Sequence, residues 1–203
     1  IGIYFLNTFY YATHMFAFKK HYFLIIESVQ DINLSQIKKR NKFTIIYRNL
    51  GQYEPKEEMT TFRKNCKAKD IKFFVTNDIN LAQSLNADGI YLSARNNSLQ
   101  FLKFKRKNFK IIGGAHNIRE INHKKRQGCE SIFLSRLFRV SYKPRMDYLG
   151  VNKFNSYLIR NRKIVALGGI NINNINKLKT VNSESFAIMT ALKKKPAITS
   201  RLF

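Results

Sequence analysis

The stretch IKFFVTNDINLAQSLNADGIYLSA, residues 71–94, decides how this chain is read. It opens with a continuous apolar run and breaks at Asn77-Asp78. A segment with apolar residues at three- and four-residue spacing follows, and then a second apolar run ends at a polar Ser93. Continuous rather than alternating hydrophobicity marks a strand covered on both faces, and the intervening period marks a helix. Strand, helix and strand within 24 residues is a parallel βαβ unit.

Working outward, the same unit recurs. Apolar runs stand at 21–28 (HYFLIIES), 43–49 (FTIIYRN), 110–116 (KIIGGAH), 131–138 (SIFLSRLF), 163–170 (KIVALGGI) and 185–192 (SFAIMTAL). Between them, helical period predicts helices at 32–40, 55–69, 97–105, 117–127, 146–160 and 171–179. Eight strands alternating with helices in 203 residues predict the α/β class and one compact (β/α)8 TIM barrel. A doubly wound open sheet is the competing architecture, but no G-x-G-x-x-G follows the first strand. The expected organisation is an extension at 1–20, a barrel at 21–195 and a short tail at 196–203. Met15 is the expected natural start, from the position of that one Met; the apolar N-terminal stretch is not expected to be a signal peptide, because no basic region precedes it.

Lys and Arg number 37 against 12 Asp and Glu, a formal charge of +25. Such an excess suits polyanions. Here, however, the cations are scattered over segments that read as exposed, such as 38–40, 103–107, 123–126 and 193–195. The chain is also crowded with Lys, Asn, Ile, Phe and Tyr, has no Trp and has 3 Pro, the usage of an A/T-rich coding sequence. The expectation is therefore against nucleic acid as partner. Polar residues interrupt the N-terminal apolar stretch, so no membrane span is expected either. Cys66 and Cys129 have neither metal-ligand spacing nor a disulfide framework, and they read as reduced, half-buried thiols of a cytoplasmic protein.

In a barrel, function collects at the C-terminal ends of the strands. The polar residues there are Arg48, Asn77 with Asp78, Ser93 to Asn96, His116, Ser135 to Lys143, Gly168 with Gly169, and Thr190. Read in that order, the chain resembles the thiamine phosphate synthase and TenI family. VTNDINLAQSLNADGIYLSA is similar to the family's ND and AdGvHlGqeD block. KIIGGAHNIREINHKKRQGCESIFLSRLF is similar to its iiG.S.H and gpvF block, and KIVALGGI with SFAIMTAL is similar to pvvAIGGI and gvAviSai.

The resemblance implies condensation of a hydroxymethylpyrimidine diphosphate with a thiazole phosphate, giving thiamine phosphate and pyrophosphate. It implies substrate or phosphate contacts for Arg48, Asn77, Lys143, Gly168, Gly169 and Thr190, and a Mg²⁺ contact for Asp78. His116 and Lys143 are the implied catalytic pair. The second metal carboxylate of the family is replaced by Asn96, its His by Tyr91, and the Gln and Lys flanking the arginine by Ile46 and Leu50. Arg95, beside Asn96, is expected to supply fixed positive charge in place of the lost carboxylate-held metal. Asp78 has a second reading as the cap of the helix that follows it. A TenI-like thiazole tautomerase centred on His116, and a non-catalytic barrel binding a phosphorylated ligand or RNA, are the alternative functions. A homodimer is left open.

Overall fold

The structure, a computed structural model, describes residues 21–37, 41–51, 53–106, 108–140, 145–159, 163–171 and 173–189. Eight parallel strands pair in chain order and the last closes on the first. They are β1 (His21–Ile26), β2 (Phe43–Tyr47), β3 (Lys72–Thr76), β4 (Gly89–Leu92), β5 (Lys110–Ala115), β6 (Ser131–Leu134), β7 (Ile164–Leu167) and β8 (Ser185–Ile188). The expected barrel is thus present, with every expected strand in its place. The expected extension at 1–20, the start at Met15 and the tail at 196–203 lie outside the described residues.

Strand alternation sorts the apolar residues into two cores. Phe23, Ile25, Ile46, Phe74, Tyr91, Ile112, Phe133 and Val165 point inward and fill the lumen. Phe23 and Tyr91 both meet the Phe133 ring edge-on, at 4.7 and 5.3 Å between centroids. The alternate residues Tyr22, Leu24, Ile26, Ile45, Phe73 and Val75 face outward and pack under the helices. At that packing face, α1 (Lys56–Ala68) buries Met59, Phe62 and Cys66, one stripe at helical spacing.

Two strand glycines explain how bulky neighbours fit. A methyl group on Gly114 would collide with the Tyr91 hydroxyl in the lumen. On the outer face, a Cβ on Gly113 would lie 2.9 Å from both the Lys124 stem and the Cys129 sulfur. Each glycine therefore leaves the space that a larger residue from another element occupies.

Four crossovers are α-helices: α1, α2 (Ile79–Ser84), α3 (Ile118–Arg126) and α4 (Gly150–Leu158). Three expected helices are instead short 3-10 segments, Leu34–Gln36, Gln100–Phe104 and Ile175–Thr180. The stretches at 32–40 and 171–179 are rich in Asn and Ile, which favour local backbone bonding or lose rotamer freedom in a helix. Asn33 accepts from the Ser35 amide, and Asn171 and Asn174 bind backbone amides of their own turn. The helix expected from 146 starts only at Gly150, because the Leu149 and Gly150 amides donate to Arg136 and Leu137 carbonyls instead.

At the N-terminal ends of the strands, His21, Thr44, Lys72, Asp88, Lys110 and Ser131 line a cavity of about 370 Å³. Among the described residues, no helix is long and apolar enough to cross a membrane.

Candidate functional site

Because the strands are parallel and the barrel is closed, residues following each strand gather at one mouth. Arg48 follows β2, Asn77 and Asp78 follow β3, Arg95 and Asn96 follow β4, His116 follows β5, and Gly168 with Gly169 follows β7. Lys143 and Thr190 lie outside the described residues, so the described mouth is built from the others.

Arg48 is exposed and its Nη1 lies 3.6 Å from the Met189 sulfur, across the mouth beyond β8. Its charge also reaches Tyr91, whose phenol is buried in the lumen. Burial raises the Tyr91 pKa well above the ordinary range, and Arg48 opposes that rise. The tyrosine that replaces the family's His is thus a neutral lumen side chain.

Asn77 and Asp78 divide the work of ending β3. Asn77 is left-handed, with φ +58, a conformation Asn tolerates better than most residues. Its side chain staples two loops: Oδ1 accepts from the Ser93 amide (3.0 Å) and Asn96 Nδ2 (3.1 Å), and Nδ2 donates to Ser93 Oγ (2.9 Å). Asp78 caps α2, its Oδ1 accepting from the Leu81 amide at 2.9 Å. The capping reading of Asp78 is therefore realised, and among the described residues its second oxygen has no partner.

His116 is exposed, and its Nδ1 lies 3.0 Å from Glu120 Oε2 one helical turn on. The same carboxylate accepts from the His116 amide, and its other oxygen accepts from Asn117 Nδ2. Asn117 in turn accepts from the Glu120 amide, a reciprocal cap at the start of α3. One carboxylate thus sets the ring orientation of His116 and closes the helix end.

The Gly168-Gly169 turn has positive φ at both residues, +94 and +71. A side chain is barred there: a Cβ on Gly168 would lie 3.0 Å from Arg136 Cα, and one on Gly169 would strike the carbonyls of Phe138 and Arg139. The loop after β6 docks directly on this turn, the Leu137 and Phe138 amides donating to Leu167 and Gly168 carbonyls. Asn174 and Asn171 both donate to the Gly169 carbonyl, at 2.6 and 3.2 Å. Among the described residues the Gly169 amide finds no acceptor, so a donor at a side-chain-free turn is available to an anion.

Asn171 and Asn174 were not singled out by sequence reasoning, and Arg136 was named only within the stretch Ser135 to Lys143. The two asparagines stand two and five residues after Gly169, and that nearness is the signal that could have found them. The β4 loop holds a larger surprise. Lys124, expected among exposed cations, is fully buried and donates from Nζ into that loop. Both cysteines are free, as expected. Cys66 is buried completely rather than by half, and burial pushes its thiol up to about 12.

Comparison with known proteins places this geometry in context. A curated thiamine-phosphate synthase of Prochlorococcus marinus is 30% identical over 129 residues, which is 63% of this chain and 37% of that protein. The thiamine-phosphate synthase of Methanococcus maripaludis is 28% identical over 131 residues, 64% of this chain and 63% of that one. The chain thus spans less than two thirds of the length of either relative. Thiamine phosphate pyrophosphorylase from Pyrococcus furiosus superimposes with a TM-score of 0.71 at 20% identity, covering 91% of this chain and 94% of that one, a likeness of fold. The sequence model of thiamine monophosphate synthase matches residues 15–192, nearly the whole chain, and the chain belongs to that family.

Proposed function

We propose that this protein condenses a hydroxymethylpyrimidine diphosphate with a thiazole phosphate to form thiamine phosphate and pyrophosphate. The observation that carries the reading is the pairing, at one barrel mouth, of strand-end arginines with a side-chain-free glycine turn, in a chain of this family. In the reaction the bond between the methylene carbon and the diphosphate oxygen breaks, its electron pair leaving with pyrophosphate. The ring nitrogen of the thiazole then supplies the pair that forms the new C–N bond. No proton need move in either step, so the chain's work is to orient two anions and stabilise the charge that departs.

Arg48 and Arg95, both exposed at the mouth, are the cations proposed to meet the diphosphate. The Gly168-Gly169 turn is proposed to receive the thiazole phosphate on its backbone donors, joined by Lys143 and Thr190. Asn77 contributes by holding the β3 and β4 loops together.

The family implies Mg²⁺. The donors here fit an ion that arrives on the diphosphate and takes one ligand from the second oxygen of Asp78. Asn96 adds no charge, and its amide is engaged by Asn77 and the Ser98 amide. No group of three or more His, Cys, Asp or Glu stands together among the described residues. When bound, the ion would supply charge neutralisation on the departing pyrophosphate, a task shared with Arg48 and Arg95.

The proposal is tested by turnover with and without Mg²⁺ in the wild type and in Arg95→Ala. Turnover that falls in Arg95→Ala with Mg²⁺ present, and falls further when the ion is withheld, supports the assignment of Arg95. Strict metal dependence untouched by that change contradicts it. The His116–Glu120 pair favours a second reading, a thiazole tautomerase, since a carboxylate-oriented imidazole is equipped to move protons. Isomerisation of thiazole phosphate without any diphosphate, lost in His116→Gln, would select it.

A further inference from the structure

One buried cation takes no direct part in the proposed reaction. Lys124, on α3, has no solvent exposure, and its ammonium has three N–H donors facing three acceptors. These are the Ser93 carbonyl (2.8 Å), the Asn96 carbonyl (2.7 Å) and Gln127 Oε1 (2.8 Å). Gln127, one turn on and also fully buried, donates to the Asn96 carbonyl (3.0 Å) and the Ser98 carbonyl (2.8 Å). His123 Nε2 reaches the Asn97 carbonyl at 3.1 Å. A single helix therefore binds four carbonyls of the loop at 93–98, which is the loop that carries Arg95 and Asn96.

This arrangement is costly to bury, and the fold is shaped around it. Removing an ammonium from water without a directly bonded carboxylate is unfavourable. Burial lowers the Lys124 pKa, with Cys129 and Glu120 acting in the opposite direction. The stem runs against Gly113, where any side chain would displace it. From the mouth side Asn77 ties the same loop through Ser93 and Asn96. The loop is thus pinned from above by an amide and from beneath by an internal cation.

We propose that Lys124 is a positioning residue for diphosphate binding: with Gln127 it clamps the 93–98 loop so that Arg95 is presented at the barrel mouth. The inference rests on the diphosphate reading given above. In this chain a tethered ammonium orders the loop, so that its neutral Asn96 and adjacent Arg95 stay in place before any substrate or ion arrives. Preorganisation of that kind lowers the cost of binding.

Inorganic pyrophosphate affinity, measured by titration calorimetry, and amide hydrogen exchange of the 93–98 loop test the clamp in wild type, Lys124→Met, Arg95→Ala and the double variant. Each single change is expected to weaken pyrophosphate about tenfold, on the scale of one charge-assisted contact. The double variant is expected to lose about tenfold as well rather than a hundredfold, because both changes remove the same interaction. Exchange in the loop should quicken in Lys124→Met while the strands are unchanged. If Lys124→Met does not fold, Gln127→Met removes two loop bonds and should shift both measurements the same way at smaller amplitude. Wild-type affinity in a folded Lys124→Met, a hundredfold loss in the double variant, or unaltered loop exchange would overturn the clamp. Absence of pyrophosphate binding by the wild type would instead overturn the diphosphate reading on which it stands.

Discussion

Replacing Gly169 with alanine separates a conformational requirement from a packing one. At φ +71 an alanine sits in the left-handed region, at a cost of about 1–2 kcal/mol. The new Cβ would also press on the Phe138 carbonyl and lie 2.6 Å from the Arg139 carbonyl oxygen, both rigid backbone atoms. Overpacking of that kind costs about 1–3 kcal/mol more. The loop after β6 can relieve it only by lifting away from the turn, which breaks the Phe138-to-Gly168 backbone bond. Gly51 supplies the control: its φ is +92, yet a Cβ there meets nothing within 4 Å. Urea denaturation should therefore show Gly51→Ala losing only the conformational part and Gly169→Ala losing about 1–3 kcal/mol beyond it. Thiazole phosphate affinity should fall in Gly169→Ala and hold in Gly51→Ala. Equal destabilisation of the two variants, or full phosphate affinity in Gly169→Ala, would refute the account of this turn.

Three further outcomes are expected. Asp78→Asn keeps the cap of α2 and should leave stability within about 0.5 kcal/mol, whereas Asp78→Ala should cost about 1 kcal/mol; both should lose the same Mg²⁺ dependence of diphosphate affinity, and a difference between them there would assign Asp78 to capping alone. Arg48→Ala, at an exposed position, should leave the urea midpoint nearly unchanged and raise KM for the diphosphate substrate about tenfold; an unchanged KM would remove Arg48 from the site. Burial holds the Cys66 thiol protonated up to about 12 against 9.0 ordinarily, so the folded state keeps a proton that the unfolded chain loses above pH 9. That contribution is complete below pH 9 and is lost as pH rises toward 12, with about 1 kcal/mol gone between pH 8.5 and 10. Cys66→Ala should show a correspondingly shallower fall in urea stability over that interval, and parallel curves would contradict the burial argument.

What was legible in the sequence follows from what is local. The runs around Phe73 and Ile90, and the Asn-Asp break between them, carry the βαβ signal within one stretch, so the alternation of strand and helix could be read directly, whereas closure was expected from the count of eight such strands. Helix type could not be read, because the Asn side chains that alternate with Ile through 171–179 bond backbone amides of their own turn and halt the helix. Asp78 bore two readings because a strand-end carboxylate caps and ligates with the same atoms, and only coordinates show one oxygen committed. Lys124 was illegible for a different reason. In HKKR it looks solvated, and its burial depends on Gly113 of another strand and on carbonyls of a third element. Gly114 and Tyr91 make the same point, since each is odd alone and the two are complementary across the lumen.

The central claim is tested most directly by single-turnover formation of thiamine phosphate, with purified protein in excess over hydroxymethylpyrimidine diphosphate and thiazole phosphate, with and without Mg²⁺. The account predicts protein-dependent product in the presence of the ion. No product under either condition, from protein that still binds thiazole phosphate, would contradict it.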